Sequence, residues 1–406
     1  MLRRILITNL AFIMIIINLL ALPIFVNAFE DPDYDWDAVT ATNIYSGTDI
    51  FNLKAKSAIL VEAVTGRVLL KKDENEKLPI ASITKVMSMY LFMEAIESGK
   101  ITMDDEVVVS ENAYSFGGSQ VYLEPGEVFP VRDMLKAIAI HSANDATVAL
   151  AEKVWGSEEV FVQKMNERAA EFGMKNTHFL DSTGLTDEGH YSSAYDIAIM
   201  ARELILKYPE ILEFTSIWHD TFRDGKFSLD NTNRLIHFYE GTKGLKTGFT
   251  RKAGHCLVAN TEKKGLHMIS VVLGEPDSNT RFAESRKLLE YGFHNFELRA
   301  ANRKGDDVGE IEVKKGLQNT VNLLISKDIN LLLNIADKDK LTKQVTINEN
   351  VEAPVKKGQK LGEIVYTVEN KLVDKADIVA ACDVEKASFL RVFAELVTGW
   401  LSLGRA

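Results

Sequence analysis

The most informative string in this chain is Pro79-Ile80-Ala81-Ser82-Ile83-Thr84-Lys85. Apolar residues recur at helical spacing from Val86 to Ile96, and Pro79 halts the chain ahead of them, so a helix is predicted to begin here. Ser82 then lies in the first turn of that helix, and Lys85 lies one turn later on the same face. A hydroxyl held beside an amine in this way is typical of a serine nucleophile and its base.

On both sides of this string the pattern alternates between strands and helices. Ser57 to Leu70 reads as two short strands about a Thr65-Gly66 turn. Helical periodicity and β-rich runs follow, the helical ones at 132–172, 194–206 and 281–291 and the β-rich ones at 253–259 and 266–273. We therefore predict an α/β fold in which an antiparallel sheet, with strands from both ends of the region, is flanked by a helical cluster.

Two further strings carry reactive side chains, Ser142-Ala143-Asn144 and Lys246-Thr247-Gly248. Taken singly, each residue has an ordinary explanation: Lys85 as a surface lysine, Ser142 as a helix N-cap and Lys246 as a turn lysine. Three such strings in this order, at a helix start, between helices and at the lip of a strand, instead indicate one acyl-transfer site.

The residue types fit that chemistry. Only a neutral amine can take the serine proton, so the pKa of Lys85 must fall from about 10.4 in water. Burial and the like charge of Lys246 are the expected causes. Ser142 could relay a proton to the leaving amine, and Asn144 could hold a backbone amide of the substrate.

The third string is expected on an edge strand, to which an extended peptide can add alongside Lys246 and Thr247. Gly248 has no side chain, so the backbone contact there stays open. The backbone N–H groups of Ser82 and Phe249 are the predicted oxyanion hole, in which one donor is worth about 10²–10³ in kcat.

With these strings the chain resembles the low-molecular-weight penicillin-binding proteins that are D-alanyl-D-alanine carboxypeptidases. The resemblance also covers Asn176-Thr177-His178-Phe179, Gly189-His190-Tyr191-Ser192, Ala253-Gly254 and Val271-Val272-Leu273-Gly274. It implies a penicillin-binding, β-lactamase-like transpeptidase domain that acts on the D-Ala-D-Ala end of peptidoglycan stem pentapeptides and is inhibited by β-lactams. Ala143 and Phe249 depart from the family pattern, which puts in doubt any side-chain help after Lys246-Thr247-Gly248.

The resemblance also implies residue roles. Ser82 would be acylated, Lys85 would accept its proton, Ser142 would be the third active-site residue and Lys246 a substrate contact. Arg281 matches a family arginine that helps to hold the terminal carboxylate, and a cation there suits an enzyme that recognises a free chain end. Arg234 is a weaker candidate for the same task.

The two ends of the chain look like separate segments. Arg3, Arg4, an apolar run and Val26-Asn27-Ala28 predict a signal peptide over 1–28, with a retained membrane helix as the alternative. In the last segment, 384–406, apolar residues at steps of three or four predict an amphipathic helix on the outer face of the cytoplasmic membrane, with Trp400 at headgroup depth. A terminal helix docked on its own core is the alternative. Whether the first segment is a cleaved signal peptide or a retained membrane helix, residues 29 onward are expected outside the cytoplasm.

Between the ends we predict a lead-in segment over 29–54, the peptidase domain over 55–297 and a small all-β domain over 298–383. Lys and Arg number 47 against 58 Asp and Glu, and this acidic balance argues against a nucleic-acid partner. Two distant cysteines and eight His residues without ligand spacing predict no metal, and no cofactor is expected.

Three competing functions share part of the pattern. A serine β-lactamase of the nearest class would carry a Glu-x-x-Leu-Asn string between Asn144 and Lys246, and none occurs there. A D,D-endopeptidase acting on cross-linked peptides could use the same residues. A non-catalytic wall-binding protein would have no need of a nucleophile, a base and carboxylate contacts together.

Overall fold

The computed structural model describes residues 51–186, 188–388 and 393. The predicted signal peptide, most of the lead-in segment and nearly all of the predicted terminal helix lie outside these residues. Within the described ranges, the structure contains no helix with the length and apolar character needed to span a bilayer.

A five-stranded antiparallel sheet organises the first part of the chain, with strand order β2-β1-β9-β8-β7. The predicted sheet is confirmed, because its first strand pairs with its last one in sequence. The strands are Ser57–Glu62 (β1), Val68–Lys72 (β2), Thr242–Thr250 (β7), Gly254–Lys263 (β8) and Leu266–Glu275 (β9). Two small hairpins lie between them, Glu106–Val108 (β3) with Val128–Pro130 (β4) and His219–Phe222 (β5) with Phe227–Asp230 (β6).

Helices cover both faces of this sheet. They are Lys85–Glu97 (α1), Glu111–Ser115 (α2), Val131–Lys136 (α3), Asn144–Trp155 (α4), Glu158–Glu171 (α5), Ala194–Lys207 (α6), Ile211–Thr215 (α7), Leu235–Phe238 (α8) and Ser278–Asn295 (α9). Two of them begin at serine caps: the Ser157 and Ser193 side chains accept backbone N–H groups of the first turns of α5 and α6.

Strand alternation divides the core into two layers. Ile59, Val61 and Val271 point to the helical cluster, whereas Leu60 and Val272 point to the opposite face, which α9 covers. α1 is buried over nearly its whole length inside the cluster, which is why its sequence is apolar on all sides. Lys85, the first residue of this buried helix, and Ser82, on the turn before it, therefore enter the site from within the cluster.

From Phe296 to Ala380 the described chain forms a β-domain, as predicted, with one 3-10 helix at Ile335–Lys340. Phe296–Asn302 (β10) pairs with Ile329–Asn334 (β13), and six strands form a second sheet in the order β14-β16-β17-β12-β11-β15. These are Asp307–Lys314 (β11), Thr320–Ile325 (β12), Leu341–Ile347 (β14), Val351–Glu352 (β15), Lys360–Val368 (β16) and Lys371–Ala380 (β17).

Two predicted boundaries differ from the structure. The boundary between 297 and 298 cuts through β10, which belongs with its partner β13. The segment over 384–387 is extended rather than helical: Val384 bridges to Val355, Lys386 bridges to Gly316, and Val384 is fully buried. The predicted terminal helix therefore starts too early at 384, because the Val384 side chain belongs to the core of the β-domain.

Candidate active site

The predicted nucleophile lies on a short 3-10 turn, Ala81–Thr84, that leads directly into α1. Ser82 is therefore one turn before Lys85, as the spacing predicts, and Lys85 Nζ lies 3.1 Å from Ser82 Oγ. The same nitrogen donates to Asn144 Oδ1 at 2.6 Å and to the Thr183 carbonyl at 2.9 Å. Asn144 and the Thr183 carbonyl thus hold the amine against the serine hydroxyl.

The environment of Lys85 favours its neutral form. Lys85 is fully buried, and burial lowers its pKa to about 7, against the opposing charges of Asp181 and Asp145. The expected contribution of Lys246 does not figure among the main causes, so burial carries the effect. Instead, burial and the positive charges of Lys85 and Arg281 lower the pKa of Lys246.

Ser142 ends a π-helical turn, Ala137–His141, in a left-handed conformation with φ 66°. Its Oγ atom is buried and has no hydrogen-bond partner among the described residues. Because π-bulges and left-handed non-glycine residues concentrate at functional sites, the free hydroxyl is consistent with the predicted proton relay. No hydrogen bond from it to Lys85 or Lys246 is present in the described part of the chain.

The structure changes the interpretation of Asn144. Its Oδ1 atom accepts from Lys85, and its Nδ2 atom donates to the Gly117 carbonyl at 2.6 Å. Both ends of the amide are therefore engaged in the free protein. Asn144 holds Lys85 against the 117–119 loop, and it would have to exchange a bond before it could hold a substrate amide as predicted.

The edge position of β7 is confirmed, since in the described sheet β7 pairs only with β8. Its first half is covered: Thr215 Oγ1 donates to the Lys243 carbonyl, and Asn233 Nδ2 donates to the Gly244 carbonyl. The uncovered edge starts near Lys246, where an extended peptide can add. Thr247 Oγ1 donates to Thr232 Oγ1 at 2.7 Å.

Gly248 is needed for a different reason from the one predicted. A Cβ atom there would lie 2.7 Å from the Ile80 carbonyl oxygen and 3.2 Å from Ala81 Cβ. The missing side chain thus lets β7 pack against the turn that carries Ser82. The Phe249 ring is 58 % exposed and lies against His255, with 4.4 Å between ring centroids.

Arg281, on α9, reaches the same strand. Its Nη1 atom donates to the carbonyls of Gly248 and Cys256 at 3.3 Å each. Burial lowers the pKa of Arg281 to about 10, so it stays cationic at neutral pH. Arg234, the weaker candidate, is exposed on the surface.

Two positioning residues were missed from the sequence. Asp181 accepts the backbone N–H groups of Thr183, Gly184 and Thr186, which shapes the loop whose Thr183 carbonyl meets Lys85. Burial by itself would raise the pKa of Asp181. The hydrogen bonds that Asp181 accepts and the charge of His190 outweigh this effect and lower the pKa to about 2. His190 Nε2 lies 2.7 Å from Thr84 Oγ1 beneath the nucleophile turn. Only the Gly189-His190 string hinted at this role.

The rate of serine acylation should fall as the pH drops through about 7, the pKa of Lys85. Above that pH the amine is free and can accept a proton, and below it the amine is protonated and cannot. We expect kcat/KM for release of the terminal residue to follow this titration. A rate independent of pH between about 6 and about 8 would contradict the assignment of Lys85 as base.

A buried lysine of lowered pKa beside a serine, a second serine on a strained turn and an open edge strand together define a serine acyl-transfer enzyme. The comparisons with known proteins agree. The D-alanyl-D-alanine carboxypeptidase family matches residues 42–277, and the C-terminal domain of penicillin-binding protein 5 matches residues 296–386. The chain belongs to the D-alanyl-D-alanine carboxypeptidase family, peptidase family S11.

Individual relatives cover most of the chain. It is 46 % identical to the D-alanyl-D-alanine carboxypeptidase DacF of Bacillus subtilis over 351 residues, which are 86 % of this chain and 90 % of that one. The crystal structure of penicillin-binding protein 5 from Haemophilus influenzae superposes with a TM-score of 0.78 at 32 % identity, covering 84 % of this chain and all of that one. Penicillin-binding protein D2 of Listeria monocytogenes, in its ampicillin-bound form, gives 0.55 at 32 % identity over 59 % of this chain and 98 % of that one.

Proposed function

We propose that this enzyme removes the terminal D-alanine from peptidoglycan stem pentapeptides through an acyl-enzyme on Ser82. The observation that carries the proposal is the buried Lys85 amine, 3.1 Å from Ser82 Oγ and with a pKa of about 7. A general base in the correct protonation state contributes roughly 10²–10⁴ in rate.

In the first step Lys85 takes the hydroxyl proton while Ser82 Oγ bonds to the carbonyl carbon of the penultimate D-alanine. The backbone N–H groups of Ser82 and Phe249 would stabilise the oxyanion. The amide C–N bond then breaks, and the leaving amine receives a proton through Ser142. Water attacks the Ser82 ester in the second step, which frees the shortened peptide and restores the hydroxyl.

The same attack accounts for inhibition by β-lactams. When Ser82 opens the lactam ring, the amine stays tethered to the acyl group, so it blocks the site instead of diffusing away. The similarity to a penicillin-binding protein whose structure holds ampicillin supports this part of the proposal.

The decisive experiment is mass spectrometry of the protein after exposure to penicillin, together with an assay of D-alanine release. We expect one adduct on Ser82 and loss of both adduct and D-alanine release in Ser82→Ala. Ser98→Ala, at the end of the same helix, is the control and should behave as wild type. An adduct on another serine would disprove the mechanism, and a protein that neither binds penicillin nor releases D-alanine would be a scaffold.

Replacing Arg281 with Gln should weaken recognition of the free chain end. We expect kcat/KM for a pentapeptide to fall about 10- to 100-fold, because hydrogen bonds to charged groups are worth about 1.5–3 kcal/mol. A pentapeptide with a C-terminal amide should lose much less, and the preference of the enzyme for the carboxylate should disappear. Arg234→Gln is the matched control; if it showed the larger effect, the two arginines would exchange roles.

We also propose that the protein is exported and held on the outer face of the cytoplasmic membrane by its last residues. The support is the signal-peptide pattern at 1–28 and the amphipathic pattern that follows the β-domain.

Deleting residues 389–406 should release active enzyme from membranes. The deletion starts after Ser388, because Val384 is part of the β-domain core and Ala387 is buried, so their loss would expose that core. The measurement is the distribution of D-alanine release between pellet and supernatant of fractionated cells. If the truncated, processed protein still pelleted with membranes, the anchoring proposal would fail.

A further inference from the structure

The segment that leads into β1 lies along α9 and is held there by polar contacts. Glu284 Oε1 accepts the Lys54 N–H at 2.8 Å, and Glu284 Oε2 accepts the Ala55 N–H at 3.2 Å. One turn further along α9, Lys287 donates to the first carbonyl of this segment at 3.1 Å. We call residues 51–55 the strap.

A second carboxyl group lies behind the contact between Glu284 and the strap. It belongs to Glu275, the last residue of β9, which is 1 % exposed and hydrogen-bonds to the carboxyl group of Glu284. Apart from Glu284, no group of the described chain hydrogen-bonds to either Glu275 oxygen. Because two ionised carboxylates are both acceptors, a hydrogen bond between them requires a proton on one of the two.

The surroundings of Glu275 favour its protonated form. Burial, followed by the hydrogen bond and the charge of Glu284, raises the pKa of Glu275 to about 9. The charge of Asp277 adds to this effect, and that of Lys72 opposes it. The titratable groups on the elements around Glu275 are Glu284 and Arg281 of α9, Asp277 ahead of α9, Lys72 of β2, His255 of β8 and Lys56 next to the strap.

A bound cation is the other way to hold two carboxyl groups together. The third carboxylate nearby, Asp277, is engaged with its own helix, because it accepts the Thr280 N–H at 2.9 Å and the Thr280 hydroxyl at 2.7 Å. The described residues contain no group of three side chains that could hold a metal ion. A shared proton therefore accounts for the contact between Glu275 and Glu284.

We propose that Glu275 and Glu284 share one proton, and that this pair is a pH-sensitive latch that keeps the strap on α9. When the proton leaves for the solvent, two negative charges face each other at a buried position. They can separate if Glu284 moves outward together with the strap. α9 also carries Arg281, one turn before Glu284, so the latch braces the helix that holds this arginine.

The first test compares the stability of the wild type and of Glu275→Gln as the pH rises. Glutamine can donate to Glu284 at every pH and has no proton to lose in this range. Glu275 ionises near pH 4.5 in the unfolded chain but only near 9 in the folded one, so the wild type loses stability across this window. Relative to the variant, its unfolding equilibrium constant should rise up to about tenfold per pH unit between about 5 and about 9, and then level off.

Chemical denaturation at each pH measures this difference. Glu262→Gln is the matched control, because Glu262 on β8 pairs with Lys243, which lowers the pKa of the Glu262 carboxyl group. Its stability relative to the wild type should stay constant across the same window. A difference between Glu275→Gln and the wild type that is equal at about pH 5 and about pH 9 would overturn the proposal, since Glu275 would then be ionised throughout.

Cleavage by trypsin after Lys54 reports on the strap itself, since proteolysis follows the population of the opened form. We expect cleavage of the wild type to accelerate relative to Glu275→Gln as the pH rises from about 7 to about 9, with the cut located by mass spectrometry. Penicillin acylation at about pH 7 should be the same in both proteins, which shows that the variant is folded. Equal cleavage of the two proteins throughout would exclude the latch, and calcium that stabilised only the wild type would replace the proton with a cation.

Discussion

Lys85→Arg should be nearly inactive, with D-alanine release and penicillin acylation both reduced about 10²- to 10⁴-fold. Guanidinium stays protonated in proteins, so it cannot take the proton of Ser82. The wild-type amine can, because burial brings its pKa to about 7. The measurement is the rate of acylation by a fluorescent penicillin, followed by gel densitometry.

The larger side chain could also disturb packing, since Lys85 is fully buried. Thermal unfolding of the variant distinguishes this effect: a folded protein without acylation supports the base, whereas an unfolded one requires the smaller Lys85→Gln. Lys243→Arg is the matched control, because Lys243 is an exposed lysine of β7 paired with Glu262. Acylation of Lys85→Arg at the wild-type rate would remove Lys85 from the mechanism.

Gly184→Ala should lower the rate of acylation, because Gly184 lies on the loop that faces the nucleophile turn. A Cβ atom on Gly184 would lie 1.9 Å from the Ala81 carbonyl oxygen and 2.6 Å from Thr84 Oγ1. The turn that carries Ser82 would have to move, and a displacement of about 1 Å can cost 10²-fold in rate. The left-handed φ of 81° adds roughly 1–2 kcal/mol of backbone strain.

The variant Gly156→Ala separates the effect of backbone strain from the effect of the steric collision with the nucleophile turn. Gly156 ends α4 with φ 85°, but a Cβ atom there meets no atom within 4 Å. We expect Gly156→Ala to lose some stability and to keep its acylation rate, whereas Gly184→Ala should lose both. Penicillin acylation and the midpoint of thermal unfolding are the two measurements. Similar acylation rates in the two variants would show that Gly184 does not shape the nucleophile turn.

Several structural features were predictable because they depend on local chemistry. Pro79, the apolar run after Lys85 and the spacing of Ser82 and Lys85 predicted the helix start and the side-chain pair found there. Alternation and turn residues predicted β1, β2, β8 and β9. The start of the terminal helix at 384 was wrong, because residues 384–387 form bridges to the β-domain that no helical spacing from Phe389 onward could indicate.

Other features depend on residues far apart in sequence. Asn144 holds Lys85 across 59 positions, and Asp181 shapes a loop whose Thr183 carbonyl reaches Lys85 across 98. Gly248 is glycine because Ile80 lies against it. No short stretch of the sequence indicates such contacts, because the residues that make them lie far apart along the chain.

The amino-acid order alone therefore established the candidate reactive groups, the spacing of Ser82 and Lys85 and the family of the enzyme, since these follow from short strings with one chemical meaning. The folded chain determined the rest. It lowered the pKa of Lys85 by burying it, and it gave Asn144 a hydrogen bond that holds Lys85. Burial and long-range contact arise only when distant segments pack together, so they belong to the tertiary structure.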